Sequence, residues 1–319
     1  MNSKVVLKAI KRNRVFLIAT HMNPDIDGLA SELAVALYLK SLKKKVSLVN
    51  ADKVLAMYRF LPGIHLIKEF RGQSLDYDVA VILDCADFDR IGAVKKIIKK
   101  DKMLVNIDHH VTNNFFGDVN TVNTQASSTT EVIFDLLKDA KYRLSRPIAL
   151  LLYLGIMTDT GSFRYDNTTS RTHWIVSQLM KFKFSVNQLY NRIYEIVPFH
   201  ELKIFTRLIN NFQMTHRGRV ASIELPKTLL SRFSGEFDLR EKIFTFLRAI
   251  KGVEVIIILT EGEKNSTRIN FRSQGKVDVA KLASFYNGGG HKKASGCWVK
   301  GNLKKAKEEI FSRLNRVLR

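Results

Sequence analysis

Short apolar runs alternate with amphipathic segments along the first half of this chain, and no other feature limits its fold as much. Val15–Thr20, Lys45–Asn50, Val79–Asp84 and Met103–Asp108 are rich in Val, Ile and Leu, which predicts buried strands. Gly28–Leu42, Lys53–Phe60, Ala93–Lys100, Ser128–Leu137 and Pro147–Met157 read as helices, the last with its proline in the first turn. This alternation predicts an α/β fold with a mostly parallel sheet and helices on both faces.

The 319 residues suffice for two domains. From Arg171 to about Met214 the pattern is continuously helical. Beyond it, Val220–Glu224, Val253–Thr260 and Thr267–Arg272 read as strands, and Leu239–Ile250, Val277–Tyr286 and Leu303–Leu318 as helices. The expected layout is a first domain over residues 1–190, a helical linker over 191–215, and a smaller α/β domain over 216–319.

A content of 45% hydrophobic and 26% charged residues excludes wholesale disorder. The longest apolar stretch, near Ile148–Met157, is far short of the roughly 18–20 residues of a membrane span, so no membrane partner is expected. The apolar run Val15–Ala19 is too short for the core of a signal peptide. Two cysteines, Cys85 and Cys297, cannot build a disulfide framework and suit a reducing cytoplasm. The net charge of +22 splits as +9 over residues 1–190 and +13 over residues 191–319, which suits polyanionic partners and equally a Lys-rich, solvated surface, so charge alone does not decide function.

In an open α/β sheet, ligands bind beyond the carboxyl ends of the strands. Those ends carry the chemistry here. Val15–Thr20 runs into His21-Met-Asn-Pro-Asp25-Ile-Asp27-Gly28. Val79–Leu83 ends on Asp84, and Met103–Ile107 on Asp108-His109-His110. The apolar run after Ile148 ends on Thr158-Asp159-Thr160-Gly161. So many carboxylates at one sheet edge repel one another unless a cation joins them. Imidazoles and carboxylates without a thiolate favour Mn²⁺ or Mg²⁺, with Fe²⁺, Co²⁺ and Zn²⁺ open. The groups exceed what one ion needs, and two ions bridged by a carboxylate would use them.

In their order along the chain, these motifs resemble those of the DHH phosphoesterase superfamily: His21–Gly28, Val81–Asp84, Asn106–His110 and Gly155–Gly161. Downstream, Phe285-Tyr-Asn-Gly288-Gly289-Gly290-His291-Lys-Lys-Ala294-Ser-Gly296 resembles the GGGH signature of the C-terminal domain found in one branch. The compact layout is similar to the nano-RNase and pAp-phosphatase group. That resemblance implies a metal-dependent hydrolase of short oligoribonucleotides, of 3′-phosphoadenosine 5′-phosphate (pAp), or of both, with its metal site in the interdomain cleft. It implies two divalent ions, Mn²⁺ foremost with Mg²⁺ or Co²⁺ as alternatives. His21 and Asp25 would hold the first ion and Asp27 the second. Asp84 would bridge both, and His109 and Asp159 would complete the second. Asp108 would orient a histidine, and His110 would meet the scissile phosphate or the leaving oxygen. Arg272, Ser273, Gly288, Gly289, Gly290 and His291 would form the substrate-phosphate pocket. The chain departs from the family pattern at Asn270-Phe271 and at Asn287.

Glycines 288–290 let backbone amides approach a phosphate, and Arg272 offers a two-pronged donor. Short single-stranded RNA or DNA and phosphorylated nucleotides are the expected partners. A phosphodiesterase for linear or cyclic dinucleotides is the alternative within enzymes, and a non-catalytic nucleic-acid-binding protein the alternative outside them. A homo-oligomer is compatible with the sequence. His65, His173, His200 and His216 stand outside the motifs and read as structural. Cys85 reads as a small core residue, Asp87 and Asp89 as caps or loop residues, and Ser127–Thr129 as a helix cap, with phosphate contact at that helix start as the alternative.

Overall fold

The computed structural model describes residues 3–317; residues 1, 2, 318 and 319, including the expected helix end at Leu318, lie outside the described residues. The chain forms two compact units, Met1–Val186 and Asn187–Arg319.

The first unit holds six strands: β1 (Val15–Ala19), β2 (Lys45–Asn50), β3 (Ile67–Glu69), β4 (Val79–Leu83), β5 (Met103–Asp108) and β6 (Val119–Val122). Their order is β3-β2-β1-β4-β5-β6 and every pairing is parallel. The chain runs outward from β1 to β3 and then returns to lay β4 beside β1. This reversal opens a crevice at the carboxyl ends of β1 and β4, where open α/β sheets bind ligands. Five helices accompany the sheet: α1 (Ser3–Arg12), α2 (Ile26–Ser41), α3 (Thr129–Asp139), α4 (Arg146–Asp159) and α5 (Ser170–Leu179). α2 and α4 are apolar on nearly every side and are buried accordingly.

The α/β class and parallel sheet match the expectation. Several local expectations need correction. β3 and β6 were not expected, because three and four residues are too few to display a period. Within Lys53–Phe60 only Ala56–Tyr58 is helical, as a 3-10 turn. Ala93–Lys100 overlaps a 3-10 segment, Phe88–Ile97, broken at Gly92 by a left-handed φ of 61°.

In the second unit, α6 (Val186–Tyr190) spans the boundary and is followed by α7 (Phe199–Ile209), α8 (Lys227–Leu230), α9 (Leu239–Arg248), α10 (Val279–Ser284) and α11 (Leu303–Val317). The helix α7, inside the range expected to be linker, gives Leu208 and Ile209 to this unit's core. The strands are β7 (Gln213–Thr215), β8 (Val220–Leu225), β9 (Val255–Glu261), β10 (Ser266–Ser273), β11 (Gly289–His291) and β12 (Ala294–Lys300). They are ordered β11-β12-β10-β9-β8-β7, with β8–β9 parallel and the rest antiparallel. One core gathers Ile269 and Phe271 of β10 with Leu282, Ile310 and Leu314. The other gathers Ile256 and Ile258 of β9 with Leu208, Ile243 and Leu247.

The glycine run is not the free turn that its composition suggests. Gly289–His291 is an edge strand, paired with Ala294–Gly296 of β12. A side chain at Gly288 would strike Gly296 O and Cys297, and one at Gly290 would strike Ala294 O. Gly289 meets no such obstacle. Two of the glycines are therefore there for packing, and one leaves its backbone open.

Candidate metal centre

The strand ends of the first unit deliver their polar side chains to one place. His21 and Asp25 follow β1, Asp84 follows β4, and Asp108, His109 and His110 end or follow β5. Asp27 lies in the first turn of α2, and Asp159 ends α4. Asp84 adopts a left-handed φ of 54°, which turns its carboxylate into the cluster at a cost of roughly 1–3 kcal/mol.

Within the described residues of the first unit, three triplets place their ligand atoms within 4.8 Å of one another: His21, Asp25 and Asp84; Asp27, His109 and Asp159; Asp84, Asp108 and His110. Asp84 is common to two of them and is also close to the third. Its carboxylate oxygens lie 3.5 Å from His21 Nε2, 3.7 Å from His109 Nε2 and 3.7 Å from His110 Nδ1. His109 Nε2 lies 3.3 Å from Asp159 Oδ2.

The histidine tautomers follow from their hydrogen bonds. His21 Nδ1 sits 2.8 Å from Met22 O, and His109 Nδ1 sits 3.3 Å from Ala126 O. A carbonyl accepts, so each Nδ1 carries a proton, and Nε2 is the atom that faces the carboxylates and would ligate an ion on losing its own proton. That is the arrangement of metal-ligating histidines. His110 is held differently: its Nδ1 donates to Asp108 Oδ1 at 2.7 Å. Asp108 is fully buried and is itself held by Asn113 Nδ2 at 2.6 Å from Oδ2.

The electrostatics call for a cation. Burial, with Asp84 and Asp159 close by, pushes the Asp27 carboxyl well above its ordinary range. Burial, with Asp25 and Asp84 close by, does the same to Asp159. Burial also works against ionised Asp84, but His21, His110 and His109 outweigh it and hold its carboxyl far below the usual range. Burial lowers His109, yet Asp84, Asp27 and Asp108 together raise it. A divalent ion supplies the positive charge that keeps all these carboxylates ionised. Hard oxygen donors with imidazole nitrogens fit Mn²⁺, Mg²⁺ or Co²⁺.

Some contacts that matter here were not foreseen from the sequence, in which Thr129 reads as part of a helix cap and Gly155 as the start of a motif. Thr129 N and Thr130 N donate to the two oxygens of Asp27 at 2.7 and 3.1 Å, and Thr130 Oγ1 donates at 2.7 Å. Thr129 Oγ1 donates to Asp84 Oδ1 at 2.9 Å. Ser128 caps the helix as expected, accepting from Glu131 N at 3.1 Å. The Ser-Ser-Thr-Thr-Glu run announces a helix start. It says nothing of a carboxylate a hundred residues upstream. Gly155 is equally silent, yet a Cβ there would collide with Thr130 Oγ1 and Asp27 Oδ1.

In the second unit, the Arg272 guanidinium lies 4.5 Å from the ring centre of Phe244, with Nη2 3.5 Å from Glu241 Oε2. Ser273 is buried, and its hydroxyl has no hydrogen-bond partner among the described residues. Its amide donates to Lys293 O at 2.9 Å. Arg272 and Ser273 end β10, and His291 ends β11. Both Cys85 and Cys297 are buried thiols that burial pushes up to about 12.

A parallel sheet that collects histidines and aspartates at its switch point defines an α/β phosphoesterase with a site suited to divalent metal. The chain carries a DHH and a DHHA1 domain: residues 15–156 match the DHH family N-terminal domain, and residues 238–319 match the DHHA1 domain. It is 28% identical over 297 residues to a bifunctional oligoribonuclease and PAP phosphatase, NrnA, of Bacillus subtilis, covering 92% of each chain. It is 28% identical over 307 residues to the protein of the same description from Thermus thermophilus, covering 96% of this chain and 90% of that one. A crystal structure of an exopolyphosphatase-related protein from Bacteroides fragilis superposes with a TM-score of 0.87 at 26% identity, covering 99% of this chain and 97% of that one. No helix among the described residues is long and apolar enough to cross a membrane.

Proposed function

We propose that this chain hydrolyses short oligoribonucleotides, the 3′-phosphate of pAp, or both, as a cytoplasmic enzyme. The observation that carries the reading is the position of Asp84, within reach of His21, His109 and His110 at once. A single carboxylate so placed suits a bridge between two divalent ions, Mn²⁺ foremost and Mg²⁺ or Co²⁺ as alternatives. His21 and Asp25 would hold one ion, Asp27, His109 and Asp159 the other, and Asp84 both. When bound, the ions activate water and neutralise charge developing on the phosphoryl oxygens.

The protein's own groups do the rest. Asp108 fixes the His110 ring, and His110 serves as proton donor to the leaving ribose oxygen. Asn113 in turn fixes Asp108. In the second unit, Arg272 is stiffened by Phe244 and Glu241, so its planar fork is pre-set for a phosphate. The Ser273 hydroxyl, the open backbone at Gly289, and His291 complete that pocket, with Gly288 and Gly290 shaping it.

The test is a product assay on metal-stripped protein with Mn²⁺ or Mg²⁺ restored. The substrates are pAp, RNAs of increasing length from two nucleotides, and linear and cyclic dinucleotides. Turnover of pAp and the shortest RNAs, lost in Asp84→Asn, is the expected result. Preference for a cyclic dinucleotide would reassign the substrate. No metal-dependent turnover of any substrate would refute the reading.

A further inference from the structure

The lone pairs of Asp27 can be counted. Oδ1 accepts two bonds, from Thr130 N and Thr130 Oγ1, which fills it. Oδ2 accepts one bond, from Thr129 N, and keeps one lone pair. Asp27 would therefore offer an ion Oδ2. The polarity behind it is also determined. Thr130 Oγ1 gives its single proton to Asp27 Oδ1, so Ser128 Oγ, which accepts from Glu131 N, is the donor to Thr130 Oγ1 at 2.8 Å. This hydroxyl chain starts at a helix amide and ends on one carboxylate oxygen.

Asp84 is held by a separate hydroxyl. Thr129 Oγ1 donates to its Oδ1, while Gly28 leaves room at Oδ2, where a Cβ would approach to 3.4 Å. Glu131 anchors the whole turn. Its buried carboxylate accepts from Ser127 N at 3.2 Å, Ser127 Oγ at 2.6 Å and Thr172 Oγ1 at 3.2 Å.

We propose that Thr129 and Thr130 are positioning residues that tune the two ion sites separately: the Thr130 hydroxyl sets the aim of Asp27 and so governs one ion, and the Thr129 hydroxyl sets the aim of Asp84 and so governs both. The inference rests on the two-ion reading above. Both hydroxyls spend their protons on carboxylates, Thr129 on Asp84 and Thr130 on Asp27. Each acts by occupying a lone pair, so that Asp27 keeps one on Oδ2 while Asp84 keeps one on Oδ1 and both on Oδ2, enough to meet two ions, which selects ion position and coordination number.

The experiment is a titration of chelator-stripped protein with Mn²⁺, counting free ion by electron paramagnetic resonance. Wild type is compared with Thr129→Val, Thr130→Val, Thr129→Ser and Thr130→Ser, with near-ultraviolet circular dichroism confirming the fold. Wild type is expected to bind two ions. Thr130→Val should weaken one site by about 10–100-fold and leave the other unchanged. Thr129→Val should weaken both. The serine variants, which keep the hydroxyl, should restore wild-type affinity. Two ions bound in wild type with equal loss at both sites in Thr130→Val, or no loss in either valine variant, would overturn the inference while sparing the two-ion reading. One ion or none in wild type would overturn both.

Discussion

Asp108 Oδ1 accepts a hydrogen bond from His110 Nδ1 at 2.7 Å, two residues further along the chain, with the aspartate fully buried. Burial works against the charged Asp108, but the bond to His110 and its nearby charge hold the carboxyl below its ordinary range. The pair fixes both the tautomer and the plane of the imidazole. Asp108→Asn keeps the shape and loses the charge. It should cost about 10–100-fold in kcat with little change in KM, read by steady-state kinetics on a short RNA. An unchanged kcat would remove His110 from the chemistry.

Metal removal should destabilise the first unit. Burial raises Asp27 and Asp159, so in the metal-free protein their contribution is full below the unfolded carboxylate pKa and is lost as pH rises through the folded values. An ion reverses that penalty by keeping both groups ionised. Addition of Mn²⁺ at a hundredfold excess over its Kd should stabilise by about 2.7 kcal/mol, seen as a higher Tm. At one fixed Mn²⁺ concentration the gain should be larger at pH 8 than at pH 6, because protons compete less for the carboxylates. A Tm indifferent to chelator at both values would contradict the site.

Glu32 is a separate buried carboxyl whose Oε2 accepts from Asn50 Nδ2 at 2.8 Å. Burial pushes it up to about 8, against the pull of the Asn50 bond and of His21. Its protonated form fits the fold, so its contribution is complete below about pH 4.5 and fades as pH rises toward 8. Glu32→Gln should flatten this decline, by at most about 1.4 kcal/mol per pH unit in urea unfolding. Parallel pH profiles for the two proteins would show that Glu32 ionises freely.

Gly155 lets α4 lie against Asp27 and Thr130. Gly155→Ala should cost about 1–3 kcal/mol of stability by overpacking and should also weaken ion binding. Differential scanning calorimetry with and without Mn²⁺ reads both. Full ion affinity in a destabilised variant would separate packing from the site.

Arg272 bears on the substrate pocket. Arg272→Ala should lower kcat/KM for pAp and short RNA, and Arg272→Lys should fail to restore it, because lysine loses both the fork and the stack on Phe244. Unchanged kcat/KM in the alanine variant would exclude Arg272 from phosphate binding.

Much of this protein was legible in its order of residues. Strands such as Val15–Ala19 and Val79–Leu83 declare themselves because burial on both faces demands a continuous apolar run. The residues His21, Asp25, Asp84, Asp108 and His109 declare themselves because each lies at or just beyond a strand end, where little but a ligand calls for them. Tertiary structure alone decided how those groups are aimed. The left-handed φ of Asp84, the hold of Thr129 and Thr130 on Asp27, and the clearance at Gly155 depend on segments far apart in the chain meeting at one point. The glycine run shows the same division: three glycines announce freedom of the backbone, but only pairing with β12 assigns two of them to packing and leaves one open. Local sequence encodes period, caps and residue chemistry. Hydrogen bonds and close approaches across long separations exist only once the chain has folded.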